Sequence, residues 1–512
     1  MFFFRDLARC FIALLLTLVG STTAFGQQAP AIDLTTPKGK SDLDLARVTR
    51  WVNAGMSRRP LGPNLFQVPV GSSMTGFVSL VTMPEGPMSL LGAGIAGTHV
   101  LVRIFVPATG HDEVFLLYVP PTHPSVKRPL LTAFHSYDIS HGSIATLTTY
   151  LREAENRDWF LVAPIQSGGP GYTQVSYGSP QSQEHVEAVI RLLLDYYSID
   201  RDRLYGVGFS MGGGSVMGYA ARHRDRRKGS FAAVLNHTGS VSLSDTYEFV
   251  STDVQTVMEA LFFGSPTQNP FDWTRASSIV LDASSQLVPG ADHMAINLAA
   301  TPVKTIYGLT DPELYLINQS IQLDQFFLSA GATNHILEPT VTSPVTCPDG
   351  HCWDTADETL VCDWFDTITL NSNPASGTIL TDRSIRWGHY DVTTVVADAF
   401  AGVDFAVDAA TNSITFSNVR NLQEIGVDVT RIGLDPAAPI SLNVQSGGPN
   451  GETYRLRSFQ SAPVLVLRNA QQVGSACPST PGAPSWCLES TSGDLVLHEP
   501  GGTGTATWRI LP

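Results

Sequence analysis

The spacing of hydrophobic positions divides the 512-residue chain into stretches of different period. From Asn64 to about Val119, apolar residues come in short runs such as HVLVRIFVPA and EVFLLYVPP, broken by turns rich in glycine, proline and methionine. These predict the opening antiparallel strands of a sheet. Between about Pro129 and Asp366, short apolar runs alternate with amphipathic segments. PLLTAFHS, WFLVAPIQ, RLYGVGFS, SFAAVLNHTG and VKTIYGLTD read as buried strands, and SIATLTTYLREAEN and GGGSVMGYAARH as helices. In SQEHVEAVIRLLLDYYSI, Val186, Ile190, Leu193, Leu194 and Tyr197 fall on one helical face. Short strands separated by helices of this length predict a mostly parallel sheet covered on both faces, hence an α/β unit. The handedness of crossovers leaves few topologies open.

From about Asn371 to the end, helical periodicity is lost and strand-like runs return, including TILTDRSIRWGHYDVTTVVA, SITFSNVRNLQEIGVDVT, PISLNVQS, TYRLRS, PVLVLRN and ATWRIL. They predict an appended all-β, sandwich-like domain over residues 371–512. Its Trp387, Tyr390 and Trp508 are read either as a surface that stacks on a polymer or, more in keeping with tryptophan in sandwiches, as core. Residues 64–370 form the expected α/β unit, interrupted at 242–294 by an aromatic, turn-rich insertion. That insertion reads equally as a cap over the active face and as a helical excursion packed elsewhere. Residues 27–63 are polar and proline-containing, an N-terminal arm. In residues 1–26, Arg5 and Arg9 precede the apolar run Cys10–Gly20, and small residues follow. This is the pattern of a signal peptide cleaved after Ala24 or Gly26, and the run is short for a membrane span. The expectation is export to the periplasm or the exterior, without stable membrane insertion.

Charge narrows the partners. A net charge of −15 argues against nucleic acid and anionic membranes. The basic stretch RHRDRRK (Arg222–Lys228) is read as a solvated turn. Cys477 and Cys487 bracket a proline- and glycine-rich loop and are expected to pair. Among Cys347, Cys352 and Cys362 one pair is expected, leaving one thiol. No regular ligand spacing surrounds them, so no metal or cofactor is implied.

The chemistry concentrates in Gly208-Phe209-Ser210-Met211-Gly212, a G-x-S-x-G pattern between a predicted strand and a predicted helix. Glycines on both sides let the chain turn so sharply that the serine hydroxyl projects from the C-terminal edge of the sheet, at a helix N-terminus. The segment DRDRLYGVGFSMGGG resembles the nucleophile region of secreted α/β-hydrolase esterases, especially polyhydroxybutyrate-depolymerase and feruloyl-esterase-like proteins, with some similarity to cutinase-like polyester hydrolases. The resemblance covers roughly residues 110–366.

It implies a nucleophile, an acid and a histidine in that chain order. The strand end Gly308-Leu309-Thr310-Asp311-Pro312 is similar to the family's G-x-x-D-P and offers Asp311 as the acid. Gly350-His351-Cys352-Trp353 is similar to its Gly-His-x-Trp and offers His351, with His335 and His389 as weaker candidates. For the oxyanion hole, the Met211 N–H is one donor. The other belongs to the loop at His135-Ser136-Tyr137, where many relatives have His-Gly. Tyr137 is the first choice, also as a substrate contact, with Ser136 next and His135 structural. Phe209 is expected to contact substrate.

These features predict a serine carboxylic-ester hydrolase acting on polyester, feruloyl or small acyl and aryl esters. A prolyl-oligopeptidase-like peptidase and a non-catalytic polymer-binding protein are the alternatives. The C-terminal domain is expected either to bind polymer or to pack on the hydrolase.

Overall fold

Central strands of the α/β unit such as Phe160–Pro164 and Ala233–His237 are buried on both faces, so consecutive residues serve two cores. A computed structural model describes residues 64–69, 75–81 and 98–512, without 122–125, 138, 169–174, 344, 372, 447–450, 460, 478–482 and 503. The expected signal segment and the N-terminal arm lie outside the described residues. Ten strands form one sheet: β1 (Asn64–Pro69), β2 (Thr75–Val81), β3 (Thr98–Val106), β4 (His111–Val119), β5 (Arg128–Phe134), β6 (Phe160–Pro164), β7 (Ile199–Phe209), β8 (Ala233–His237), β9 (Val303–Gly308) and β10 (His335–Thr340). Their order is β1-β2-β3-β4-β6-β5-β7-β8-β9-β10. The first four pair antiparallel, as does β4 with β6, and every pair from β6 to β10 is parallel.

Alternation along the strands divides the core. Leu117, Leu130 and Phe160 join the helices Pro180–Tyr196 and Met211–Arg222 on one face. Leu116, Leu131 and Leu161 join the helices Tyr150–Asn156 and Glu358–Asp366 on the other. The helix predicted across Tyr197 stops at Tyr196, and Ser179 caps its start by accepting from the Ser182 N–H. The order in which successive strands are added reverses between β5 and β7, which are parallel, and a crevice opens there at the carboxyl ends of the strands.

Beyond Ser376 two mixed sheets, of seven and six strands, enclose a separate core of Phe405, Phe416, Tyr454 and Trp508 among others. Trp387, Tyr390 and Trp508 are all buried. The sandwich also packs on the α/β unit: Asn297 Nδ2 donates to Ala221 O and Leu380 O, and its Oδ1 accepts from the Leu380 N–H. The basic stretch at Arg222–Lys228 corrects the sequence reading. Arg222, His223, Arg224 and Asp225 are buried, because the sandwich covers them. Arg222 reaches Asp382 with Nη2–Oδ2 at 2.6 Å and Nε–Oδ1 at 3.2 Å, and the Arg224 guanidinium lies 5.6 Å from the Trp387 ring centre.

Candidate active site

Strand β7 ends at Phe209 and the helix Met211–Arg222 begins one residue later, so Ser210 alone makes the turn. Its φ of 56° and ψ of −121° are outside the conformations serine normally adopts. Local bonds hold it there. The Ser210 N–H donates to His237 O at 2.9 Å, and its carbonyl accepts from Gly213, Gly214 and Ser240 N–H groups at 3.0, 3.2 and 3.2 Å. A Cβ on Gly208 would lie 2.0 Å from Gly212 O, and one on Gly212 would lie 2.2 Å from Phe134 O. The two glycines therefore let strand, turn and the neighbouring β5 end approach to backbone distance.

Asp311 follows β9 in a short turn, is buried, and its Oδ1 accepts from the Glu313 N–H at 2.9 Å. Its Oδ2 lies 2.8 Å from His351 Nδ1. His351 Nε2 lies 2.9 Å from Ser210 Oγ. Three residues separated by up to 141 positions thus meet in one chain of hydrogen bonds. Gly350 has φ of +80°, and a Cβ there would meet Thr310 O at 2.5 Å, so the histidine loop lies directly on the acid turn. Cys347 and Cys352 form a disulfide around it. Nucleophile position, acid and histidine follow β7, β9 and β10 in turn.

This is an α/β-hydrolase fold.

The other histidine candidates stand elsewhere. His335 opens β10 at the opposite edge of the sheet, with Nδ1 2.9 Å from Asp324 and Nε2 3.2 Å from Thr305. His389 lies in the sandwich, between the strands Ile385–Trp387 and Tyr390–Thr394. Cys477 and Cys487 form a second disulfide, and Cys362 is the free thiol among the described residues, buried, with its pKa pushed up by burial.

A cleft of about 360 Å³ opens on Ser210 and His351, with Ser136, Tyr137 and Met211 in its wall. Met211 is the first residue of its helix, where N–H groups have no intrahelical acceptor. His135 is fully buried beneath, with Nε2 2.8 Å from Ile165 O and Nδ1 2.8 Å from Ser136 O. Burial pushes its pKa down. The Ile165–Ser167 turn is anchored in its turn by buried Glu113, which accepts from the Gln166 and Ser167 N–H groups at 2.8 and 2.9 Å.

Phe209 does not face this cleft, contrary to the sequence expectation. It is the last residue of β7 and its ring points beneath the turn, packed 4.6 Å from His351, 4.7 Å from His237 and 5.2 Å from Trp353 between ring centres. It supports the histidine from behind. Sequence reasoning missed several wall residues: Tyr177, Phe249, Val254, Glu313 and Tyr315. Phe249 and Val254 belong to the insertion at 242–294, whose helices Leu243–Phe249 and Thr252–Leu261 border the cleft, while Trp273 and Ile279 pack inward. His237 was missed as well, although its place at the end of a buried strand next to the serine strand was the available signal. Burial, with His351 adding to it, pushes its pKa down to about 3, so it stays neutral.

No family model matches the chain. Dipeptidyl-peptidase 5 of Porphyromonas gingivalis is 29% identical over 168 residues, 31% of this chain and 22% of that protein. The match thus spans about a fifth of that curated relative. Among solved structures, a ferulic acid esterase is similar at 15% identity over 53% of this chain and 95% of that one, with a TM-score of 0.37. Pyrococcus horikoshii acylaminoacyl peptidase is similar at 12% identity over 59% of this chain and 47% of that one, with a TM-score of 0.40. The fold assignment rests on strand order and the turn at Ser210.

Proposed function

We propose that this protein is a serine hydrolase that cleaves carboxylic esters, with Ser210 as nucleophile, His351 as general base and Asp311 as its orienting acid. The observation that carries the reading is the pair of contacts from His351, 2.9 Å to Ser210 Oγ and 2.8 Å to Asp311 Oδ2. A serine hydroxyl is a weak nucleophile until a base accepts its proton. Asp311 would fix the tautomer that leaves Nε2 free to do so and would stabilise the imidazolium that results. Attack on the ester carbonyl places negative charge on its oxygen. The Met211 N–H, with a second N–H from the Ser136-Tyr137 loop, would hold that charge. Collapse expels the alcohol with the proton from His351 and leaves an acyl-serine. Water, deprotonated by the same histidine, then releases the acid.

The cleft's aromatic wall suits aryl and short acyl esters, and polyester or feruloyl substrates extend the same reading. An exported enzyme fits two disulfides, which persist in oxidising compartments. Among the described residues no helix is long and apolar enough to cross a membrane.

A second reading, a serine peptidase, draws support from the local similarity to a dipeptidyl-peptidase. The deciding measurement is turnover of p-nitrophenyl butyrate and of a dipeptidyl p-nitroanilide by wild type and Ser210→Ala. Ester turnover that vanishes in the variant is expected. Inert wild type, or a variant as active as wild type, would overturn the proposal; anilide turnover alone would move it to the peptidase reading.

A further inference from the structure

We propose that Glu313 makes the cleft selective for ester substrates carrying a positive charge, such as an ammonium or quaternary ammonium group, and discriminates against those carrying a carboxylate. This inference rests on the hydrolase reading above and names the substrate class of that same site.

Among the described residues of the cleft wall there is no lysine or arginine, and apart from His351 the one ordinarily charged side chain is Glu313. Glu313 is half-buried and makes no ion pair among the described residues. Structural duties do not account for its carboxylate. It stands at the N-cap position of the helix Leu314–Ser329, yet its side chain makes no capping bond. Its backbone is held by Asp311, which places the side chain two residues beyond the acid, at the rim of the reacting centre.

Aromatic rings line the same cleft. Phe249 stacks on Tyr315 with ring centres 5.1 Å apart, and Tyr137 and Tyr177 lie 6.0 Å apart. Burial raises the pKa of Tyr315 and Tyr177, and the Glu313 charge adds to both shifts, so the phenols stay neutral while the carboxylate acts on each. One carboxylate among neutral phenols and a phenyl ring attracts cations by charge and by ring quadrupole together. A negative charge near a developing oxyanion also opposes the reaction. For a neutral or anionic substrate Glu313 is therefore a cost, and a substrate cation offsets it.

The test compares kcat/KM for three p-nitrophenyl esters of similar chain length: hexanoate, 6-(trimethylammonio)hexanoate and the monoester of adipate. Wild type should prefer the cationic over the anionic ester by about tenfold or more at low salt, with the ratio falling towards one at about 0.5 M NaCl. Glu313→Gln should bring the low-salt ratio to within about threefold of one, and Glu313→Lys should reverse it. Because a ratio is independent of the fraction of active enzyme, partial misfolding of a variant does not mimic the result. A wild-type ratio near one with the hexanoate well hydrolysed would overturn this inference and leave the hydrolase reading intact. So would a ratio unchanged in both variants. Failure of wild type to hydrolyse any of the three would instead overturn the hydrolase reading, and the inference with it.

Discussion

Ser210 is held in a conformation that costs of the order of 1–3 kcal/mol, and the residues beside it exist to permit that. Gly212 is where the turn meets the neighbouring strand, because an added methyl would sit 2.2 Å from Phe134 O and 2.5 Å from His135 O. Neither oxygen is the end of a flexible side chain. Gly212→Ala should therefore push β5 and its following loop away from the serine, lowering ester turnover by at least tenfold and the unfolding temperature together. A variant with wild-type activity and melting curve would show that the approach is not needed. Asp311 acts through another group. Asp311→Asn keeps the shape but favours the wrong His351 tautomer, and kcat should drop by about 10⁴-fold while KM changes little. A loss confined to KM would remove Asp311 from the proposed role.

At the scale of elements, the strands and helices that surround the site were readable because their apolar periods differ, two for strands and 3.6 for helices. The serine turn was readable because glycine, serine and glycine at that spacing meet one backbone requirement. What could not be read is what depends on long-range packing. Phe209 was assigned to the cleft because it neighbours Ser210, but period-two alternation sends its ring to the face under Trp353. Glu313 and Tyr315 come from the start of one helix and Phe249 from the end of another, and no local pattern says that their side chains converge. The basic stretch looked solvated because its cover, at Asp382 and Trp387, lies about 160 residues further on.

The histidine loop is another element whose cause lies outside regular structure. Strand β10 ends at Thr340 and His351 is reached through a loop with little regular structure, closed by the Cys347–Cys352 bond. In the chain-entropy view a loop this short contributes roughly 2 kcal/mol. Replacing both cysteines by alanine should leave the sheet folded yet lower kcat/KM, since His351 would lose its fixed approach to Ser210. Far-ultraviolet circular dichroism with ester kinetics tests this, and undiminished kcat/KM in the double variant would show that Gly350 and Asp311 suffice.

On the scale of the whole molecule, the helix that starts at the serine turn is also the helix that meets the sandwich. Met211 borders the cleft at one end, and Arg222 at the other is buried against Asp382 and donates to Gln183 Oε1 at 3.0 Å. Asp382 also receives Arg275 at 3.4 Å. Burial alone would raise the Asp382 pKa, but the charges and bonds of Arg222, with Arg383 and Arg275, bring it down to about 2. A carboxylate depressed in the folded state stabilises above its unfolded pKa of about 3.9 and loses that contribution as pH falls through about 2. By pH 3 the loss should be roughly 1 kcal/mol. Arg222→Ala leaves a buried carboxylate and Asp382→Ala a buried guanidinium, and each should cost about 3 kcal/mol or more. The double replacement Arg222→Met with Asp382→Leu should cost less than the sum of the single losses, because neither charge is stranded. Urea midpoints at pH 6, 4 and 3 for wild type, Asp382→Asn, Arg222→Ala, Asp382→Ala and the double variant check both points. The acid-dependent part should flatten in Asp382→Asn; a slope equal to wild type, or single costs below about 1 kcal/mol, would mean that the sandwich is held by its apolar contacts and not by this pair.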